Sequence, residues 1–280
     1  MFFSGISDEA GKPIETQIKA HKELGWKYLE IRNVDGENLT LMHDSKFDEV
    51  YGKVNDAQMK VSCFAGCIAN WSRPITGDFQ LDMDELKKAI PRMKKFGTKF
   101  IRIMSWPNDN DNPASKVEWG KKAIERLMEL SKIAEDGEII MVHENCSGWA
   151  GESPKNSLKM LSEVDSPALK LVFDTGNTIA HGQDAMYFYS KVKKHIAYVH
   201  IKDAITTPDG KFQTTYCGEG HAYVPEILQD LKNAGYEDGI SIEPHLAAAV
   251  HLGKEATSEE AYKIYVTYGR KLIEIVNNLK

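Results

Sequence analysis

Four apolar runs in the second half of the chain each end at a carboxylate or an imidazole. These residues are Glu144, Asp174, His200 and Glu243, separated by 30, 26 and 43 residues. Three carboxylates crowded beside one imidazole would repel one another and could not all stay ionised, but a divalent cation removes that conflict. Three oxygen donors and one nitrogen suit Mn²⁺, Mg²⁺, Co²⁺ or Zn²⁺. The spacing therefore predicts a metal site, although strand-end acids also often cap helices or form local hydrogen bonds.

Two residues beside these candidates could touch a substrate. Lys202 lies two residues after His200, so strand alternation places both on one side. It could reach a substrate oxygen, or it could pair with a neighbouring acid. His143 directly precedes Glu144 and so points to the other side. It is either a buried structural histidine or a base at the edge of the site.

The loops after the runs carry further polar candidates. Asn177 and His181 follow the second carboxylate closely and suit hydroxyl recognition. Glu219 lies between two glycines, which let the backbone approach a ligand. It could support the metal site through one of its ligands, or it could belong to an ordinary turn. Arg32 ends the second apolar run and could bind a substrate oxygen or pair with Glu30.

The elements that must position these residues alternate along the whole chain. Short runs rich in β-branched and aromatic residues indicate buried strands; they span 2–6, 28–31, 59–64, 99–104, 138–143, 169–173, 196–201 and 239–243. Amphipathic patterns between them indicate helices, the clearest at 13–24, 82–96, 114–134, 223–234 and 258–279. Eight strand–helix units averaging 35 residues favour an α/β fold, a (β/α)8 TIM barrel, over a doubly wound open sheet. The absence of a linker pattern predicts one domain over 1–280.

The composition argues against nucleic-acid-binding, membrane and secreted proteins. Thirty-five basic and 41 acidic residues give a net charge of −6, which argues against a nucleic-acid-binding role. No apolar run approaches the roughly 18–20 residues that span a bilayer, so no membrane partner is expected. The first residues lack the basic region of a secretory signal. Four scattered cysteines, Cys63, Cys67, Cys146 and Cys217, are expected to be reduced thiols of a cytoplasmic protein.

Five motifs carry a resemblance to a known family. They are Val142-His143-Glu144-Asn145, Phe173-Asp174-Thr175-Gly176-Asn177, Val199-His200-Ile201-Lys202-Asp203, Gly218-Glu219-Gly220 and Ile242-Glu243-Pro244. Together they resemble the xylose isomerase-like TIM-barrel superfamily. The branch they resemble is the sugar phosphate isomerase/epimerase family, which includes ketose 3-epimerases, hydroxypyruvate isomerase and inosose dehydratase.

The resemblance implies a metal held by Glu144, Asp174, His200 and Glu243, with Mn²⁺ the expected ion and Mg²⁺, Co²⁺ or Zn²⁺ as alternatives. It also implies that Glu144 and Glu243 are the catalytic acid/base pair. Proton transfer would pass through a metal-bound enediolate of a small sugar or sugar-derived keto compound. Family members are often dimers or tetramers, so a homo-oligomer is allowed.

Further candidate substrate contacts lie in the loops that follow the strands. Glu152 lies in the loop where ketose epimerases carry a substrate-contacting glutamate. Three tryptophans in loops after strands suit stacking on a sugar ring, or packing beneath the loops: Trp71, Trp106 and Trp149. Few loop cations are available to clamp a phosphate, which favours an unphosphorylated carbohydrate.

One departure from the family leaves the reaction open. Many relatives carry a histidine three residues after the strand-six aspartate, where this chain has Asn177. The three-zinc site of the endonuclease IV branch cannot be built in that way. The same metal site could serve a lyase or dehydratase, as in inosose dehydratase or C-glycoside deglycosidases. A non-catalytic binding module is a further alternative.

Overall fold

Eight parallel strands form the centre of the molecule. The structure, a computed structural model, describes residues 1–247 and 256–280. We number the barrel strands in chain order: β1 Phe2–Gly5, β2 Tyr28–Ile31, β3 Lys60–Ala65, β4 Phe100–Ser105, β5 Ile140–Gly148, β6 Leu169–Asp174, β7 Ile196–Ile201 and β8 Gly239–Ile242. Their bounds agree with the predicted strands within two residues, except that β5 continues to Gly148.

Helices follow the strands and cover the outside of the sheet. They are α1 Ile14–Glu23, α2 Asp44–Asp56, α3 Gln80–Phe96, α4 Lys116–Asp136, α5 Pro154–Val164, α6 Asn177–Ala180, α7 Ala185–Val192, α8 Val224–Asn233 and α9 Ser258–Asn277. Local chemistry sets several of these ends. Ser115 and Glu118 form a capping box at the start of α4, which satisfies amides that have no partner within the helix. Gly97, at φ 69°, ends α3 in the left-handed conformation that glycine adopts without strain.

The strands close into a barrel. Neighbours along the chain are hydrogen-bonded neighbours in the sheet from β2 to β8, and β8 pairs with β1. A parallel bridge between Ile6 and Glu30 joins the end of β1 to β2. The predicted (β/α)8 TIM barrel is therefore confirmed. Two short hairpins, Asn33–Val34 with Glu37–Asn38 and Asp203–Thr206 with Phe212–Thr215, follow β2 and β7.

The apolar core has two parts. The larger part lies between strands and helices. A smaller cluster consists of Cys63, Phe100, Val142, Val172 and Tyr198, one residue from each of β3 to β7. These alternate with helix-facing positions on their strands, so they fill the barrel interior. No helix in the described ranges is long and apolar enough to cross a membrane.

Candidate metal centre

Four buried side chains converge at the carboxyl ends of neighbouring strands. Glu144 lies on β5, Asp174 ends β6, His200 lies on β7 and Glu243 follows β8. One ligand atom from each lies within 4.8 Å of the others. Three of them follow an interior residue by two positions, because alternate residues of a strand share one side. The four residues therefore lie together at one end of the barrel, as the sequence predicts.

The polar atoms of this cluster fit a divalent cation. Asp174 Oδ2, His200 Nδ1 and Glu243 Oε2 are buried, and the polar groups nearest to them are charged side chains of the same cluster. Buried charged groups are costly unless they are paired or coordinate a metal ion. Three oxygen ligands and one nitrogen match the preferences of Mn²⁺, Mg²⁺ or Zn²⁺. The donor set thus fits the metal that the sequence predicts.

Lys202 contributes a positive charge to the same cluster. Its Nζ lies 2.9 Å from Asp174 Oδ2, 2.8 Å from Glu243 Oε2 and 3.0 Å from Asn177 Oδ1. Burial disfavours the charged form, but the two carboxylates outweigh it and raise the pKa of Lys202 above its usual range. The ammonium therefore stays charged and offsets part of the negative charge of the ligands.

Glu30 orients the imidazole of His200. Its two carboxylate oxygens both lie 3.1 Å from His200 Nε2, and Ser241 Oγ donates to Oε2 at 2.6 Å. The contact with Glu30 leaves Nδ1 facing Glu144 Oε1 at 3.6 Å and Glu243 Oε2 at 3.8 Å. Metal-binding histidines commonly have this carboxylate behind the ring, which fixes the ring and its tautomer. Glu30 is therefore placed to aim Nδ1 at the centre.

The protonation of His200 is coupled to the charge of the centre. Burial acts against the imidazolium, yet Glu30 and Glu144 raise the pKa of His200 well above its usual value. A lone pair on Nδ1 requires loss of that proton. A divalent cation favours this loss, because metal ligands bind in their deprotonated form.

The two glutamates are held ionised by different partners. Arg102 Nη1 donates to Glu144 Oε2 at 3.0 Å, and Asn177 Nδ2 donates to Oε1 at 2.9 Å. Burial opposes ionisation, but the hydrogen bond with His200 and the Arg102 charge lower the pKa of Glu144 to about 2. Glu243 experiences the same opposition from burial, and Lys202 lowers its pKa well below the usual value.

Asp174 behaves differently from the glutamates. Burial raises its pKa to about 6, and the nearby Glu243 and Glu144 charges add to the increase while Lys202 acts against it. Its Oδ1 accepts from the main-chain N–H of Asn177 at 2.7 Å, which leaves Oδ2 turned toward the cluster. The carboxyl group is thus fixed in position by the start of α6.

A second acidic group beside Glu243 is already neutralised. Ligand atoms of Glu9, Glu243 and His245 also lie within 4.8 Å of one another. The Arg32 guanidinium lies 3.6 Å from Glu9 Oε1, 3.4 Å from Glu243 Oε1 and 3.1 Å from Asp8 Oδ2. Its fixed charge disfavours a cation there. The alternative that Arg32 pairs with Glu30 is wrong, because Glu30 instead contacts His200.

A cavity of about 400 Å³ opens onto the centre from the carboxyl ends of the strands. This is where active sites of (β/α)8 barrels lie. Its walls combine charged residues of the cluster with amides, a hydroxyl, sulfur atoms and one indole. They are Arg32, Asn33, Asn38, Gly66, Cys67, Asn70, Trp71, Ser72, Arg102, Met104, Glu144, Cys146, Asn177, Lys202, Glu243 and His245.

The structure brings some of the candidate substrate contacts to this cavity. Asn177 and Lys202 line its floor, hydrogen-bonded to each other and to the predicted ligands. Glu152 and His181 do not line the cavity. Glu152 is about 40% exposed, with Lys116 Nζ at 4.0 Å.

Three other candidates lie away from the cavity. Trp106 is fully buried, and its Nε1 donates to Asp82 Oδ2 at 2.7 Å beneath the loops. His143 is also fully buried on the opposite side of β5 from the ligands, and burial lowers its pKa to about 4. Glu219 pairs with Lys271 at 2.6 Å on the surface. These positions favour structural roles.

Sequence reasoning missed two charged residues of the barrel interior. Glu30 interrupts the apolar run 28–31, and Arg102 interrupts the run 99–104. A charge inside a buried strand is costly unless it is paired, so each position was a signal of an interior partner. His245, two residues after Glu243, is a further neighbour without a predicted role; its Nε2 lies 3.1 Å from Glu243 Oε1.

The position of this centre can be compared with known proteins. Residues 18–265 match the sequence profile of a family described as xylose isomerase-like TIM barrel. The chain belongs to this family. Among curated members, an inosose dehydratase of Bacillus thuringiensis is 28% identical over 158 residues, covering 50% of this chain and 52% of that protein. The chain thus matches about half the length of that relative.

Two solved structures support the same xylose isomerase-like fold. D-psicose 3-epimerase with D-tagatose from Clostridium cellulolyticum H10 superimposes with a TM-score of 0.76 at 14% sequence identity. The alignment covers 100% of this chain and 99% of the epimerase chain. The IolI protein with a bound zinc atom has a TM-score of 0.73 and 18% identity, with coverage of 100% and 99%. At these identities the likeness shows the fold alone.

Proposed function

We propose that this xylose isomerase-like barrel is a divalent-metal-dependent isomerase or epimerase of a small polyhydroxy carbonyl compound. The observation that carries the proposal is the pair of buried glutamates, Glu144 and Glu243, held ionised within one ligand cluster that faces the cavity. The metal is Mn²⁺ in this proposal, with Mg²⁺, Co²⁺ and Zn²⁺ as alternatives that share the donor set.

The reaction moves a proton on a carbon next to the substrate carbonyl. When bound, the metal supplies positive charge that stabilises negative charge developing on the carbonyl oxygen. One ionised glutamate takes the proton from carbon. The second glutamate, which enters the step carrying a proton taken up from solvent, delivers that proton to the opposite face of the carbon, and proton exchange with solvent then resets both carboxylates. Arg102 beside Glu144, and Lys202 and His245 beside Glu243, hold the two carboxylates in place.

The charges lining the cavity favour a substrate without phosphate. Arg32 pairs with Asp8, Glu9 and Glu243, and Arg102 pairs with Glu144. A phosphate needs cations or clustered main-chain N–H groups whose charge is not already balanced. Neutral amides line much of the remaining wall and suit hydroxyl groups. We propose an unphosphorylated sugar or sugar acid.

A dehydratase is the second candidate, and the curated relatives named inosose dehydratase favour it. The first step is the same removal of a proton beside the carbonyl. The electron pair then expels a hydroxyl group from the adjacent carbon, which leaves as water after accepting a proton. Isomerisation and elimination therefore share their first step and differ in the second, so their products differ.

Nuclear magnetic resonance in D₂O with Mn²⁺ present tests the proposal across ketoses, inososes and 3-oxo-glycosides. Deuterium at the carbon beside the carbonyl, with the carbon skeleton retained, supports isomerisation, whereas an unsaturated product supports elimination. Glu144→Gln and Glu243→Gln should each slow turnover at least about 100-fold. Glu163→Gln, on the exposed face of α5, is the matched control. Full activity in either active-site variant would refute the two-carboxylate mechanism.

A further inference from the structure

Trp71 is the exposed tryptophan of this chain, and it stands at the cavity. Its exposed fraction is 71%, whereas Trp26, Trp106, Trp119 and Trp149 are 6% exposed or less. A tryptophan buries a large apolar area in most proteins, so an indole left open to solvent forgoes much stabilisation. Because the ring lies on the cavity wall, a ligand in the cavity could cover it.

The loop that carries Trp71 is held in place from below. The β3 loop, residues 66–75, passes between β3 and α3. Asp82 of α3 accepts from Ala69 N at 2.9 Å, from Arg73 Nη1 at 2.6 Å and from Trp106 Nε1 at 2.7 Å. Arg73 Nη2 also pairs with Glu85 Oε2 at 2.6 Å. Buried groups of α3 therefore fix the base of the loop.

Contacts within the β3 loop fix its tip as well. Ser72 N and Oγ donate to Asn70 Oδ1 at 3.0 and 2.7 Å, and Arg73 N donates to Asn70 O at 3.0 Å. Trp106 N donates to Ala69 O at 2.8 Å from the neighbouring strand end. The backbone on both sides of Trp71 is thus tied down. An indole on such a support loses little conformational entropy when a ligand covers it.

The groups around Trp71 are suited to a neutral ligand with hydroxyl groups. Asn33, Asn38, Asn70 and Ser72 line the same cavity. Amide and hydroxyl groups donate to and accept from hydroxyls without demanding a charge on the ligand. An aromatic face beside such groups matches a molecule that is apolar on one face and polar at its edges.

We propose that Trp71 forms a stacking subsite for the C–H face of a ring that carries the reacting carbonyl, an oxo-cyclitol or an oxo-pyranoside, and that it selects ring substrates over open-chain ones. This inference rests on the proposed function and names the substrate class for it. A rigid ring presents a flat apolar face that matches the indole. An open-chain ketose must freeze several rotatable bonds to present a comparable face, which lowers its affinity.

The isolation of Trp71 makes tryptophan fluorescence a direct assay. Acrylamide quenches exposed indoles, so the quenchable fraction reports Trp71. With Mn²⁺ present, myo-inositol as the ring probe should protect Trp71 saturably, and D-mannitol, an open-chain polyol with the same number of carbons, should bind about tenfold more weakly, a difference of about 1.4 kcal/mol. Calorimetry with both polyols gives the affinities for variants that lack the fluorophore.

Trp71→Ala should weaken the ring probe about tenfold and remove the preference over the open-chain probe, while Trp71→Phe should retain most of both. Tyr187→Ala, which removes an exposed aromatic of α7, is the matched control and should match the native chain. Equal binding of the two polyols, or unchanged binding by Trp71→Ala, overturns the subsite while leaving the proposed reaction intact. Failure of the native chain to bind either polyol also overturns the subsite, whereas the proposed reaction, which needs a carbonyl that neither probe has, is overturned only by the absence of turnover in D₂O.

Discussion

Replacing Glu30 by glutamine should weaken divalent-metal binding about tenfold while the barrel stays folded. Glu30 is completely buried in the interior, with both oxygens 3.1 Å from His200 Nε2 and Ser241 Oγ at 2.6 Å. Glutamine has the same shape and keeps one acceptor for the imidazole. It can also still bond with Ser241, because the hydroxyl can accept as well as donate. The variant removes only the negative charge behind the ring.

The structure sets the size of the effect. A hydrogen bond to a charged group contributes about 1.5–3 kcal/mol, and a neutral one about 1 kcal/mol. Losing the difference, about 1–2 kcal/mol, weakens binding by about 5- to 30-fold, which agrees with the range for residues that orient a metal-bound histidine.

Calorimetric titration of Mn²⁺ into metal-stripped protein measures this affinity directly. Glu37→Gln, an exposed glutamate of the hairpin after β2, is the matched control and should bind as the native chain does. Thermal unfolding of both variants without metal establishes that the barrel is intact. If Glu30→Gln binds Mn²⁺ as tightly as the native chain, the orienting role of this carboxylate is refuted.

Three further perturbations test other parts of the structure. Lys202→Met should tighten Mn²⁺ binding about tenfold by calorimetry, because a buried like charge is removed; weaker binding would contradict this. Asp82→Ala should lower the free energy of unfolding by about 3 kcal/mol in urea, since a guanidinium, an indole and an amide lose their acceptor, whereas Asp84→Ala on the exposed side of α3 should cost under about 0.5 kcal/mol. Burial lowers the pKa of His21 to about 4 from 6.5. The unfolded chain therefore takes up this proton first, and stability falls by about 3 kcal/mol as the pH drops through that window; in a pH series of urea unfolding, His21→Gln should show the smaller loss.

The strands were predictable because each is a short apolar run between longer amphipathic segments. Both faces of a barrel strand are buried, so the run is continuous and its ends are sharp. The exception, β5, continues past Glu144 to Gly148 through residues that are polar or small. Here the extension comes from pairing with the end of β4 at Ser105, which no local pattern signals.

The ligand cluster was predictable for the same reason as the strands. The carboxyl ends of all barrel strands lie at the same face, so polar residues at the ends of successive strands are expected to lie close together. The contacts of loop residues were not predictable in this way. Trp106 and Trp71 both follow strands, yet one lies under the loops and the other at the cavity, because tertiary contacts of Asp82 decide which indole is covered.

Glu30 takes part both in closing the barrel and in orienting His200, because it forms the bridge with Ile6. The main chain of Glu30 closes the barrel, while its side chain contacts the imidazole of His200, which lies in the carboxy-terminal half of the chain. A fragment starting at residue 138 would contain all four residues of the proposed metal site yet lack this support. We therefore expect that the amino-terminal half, which supplies none of the four residues of the proposed site, is needed before the carboxy-terminal half can hold an ion in a defined geometry.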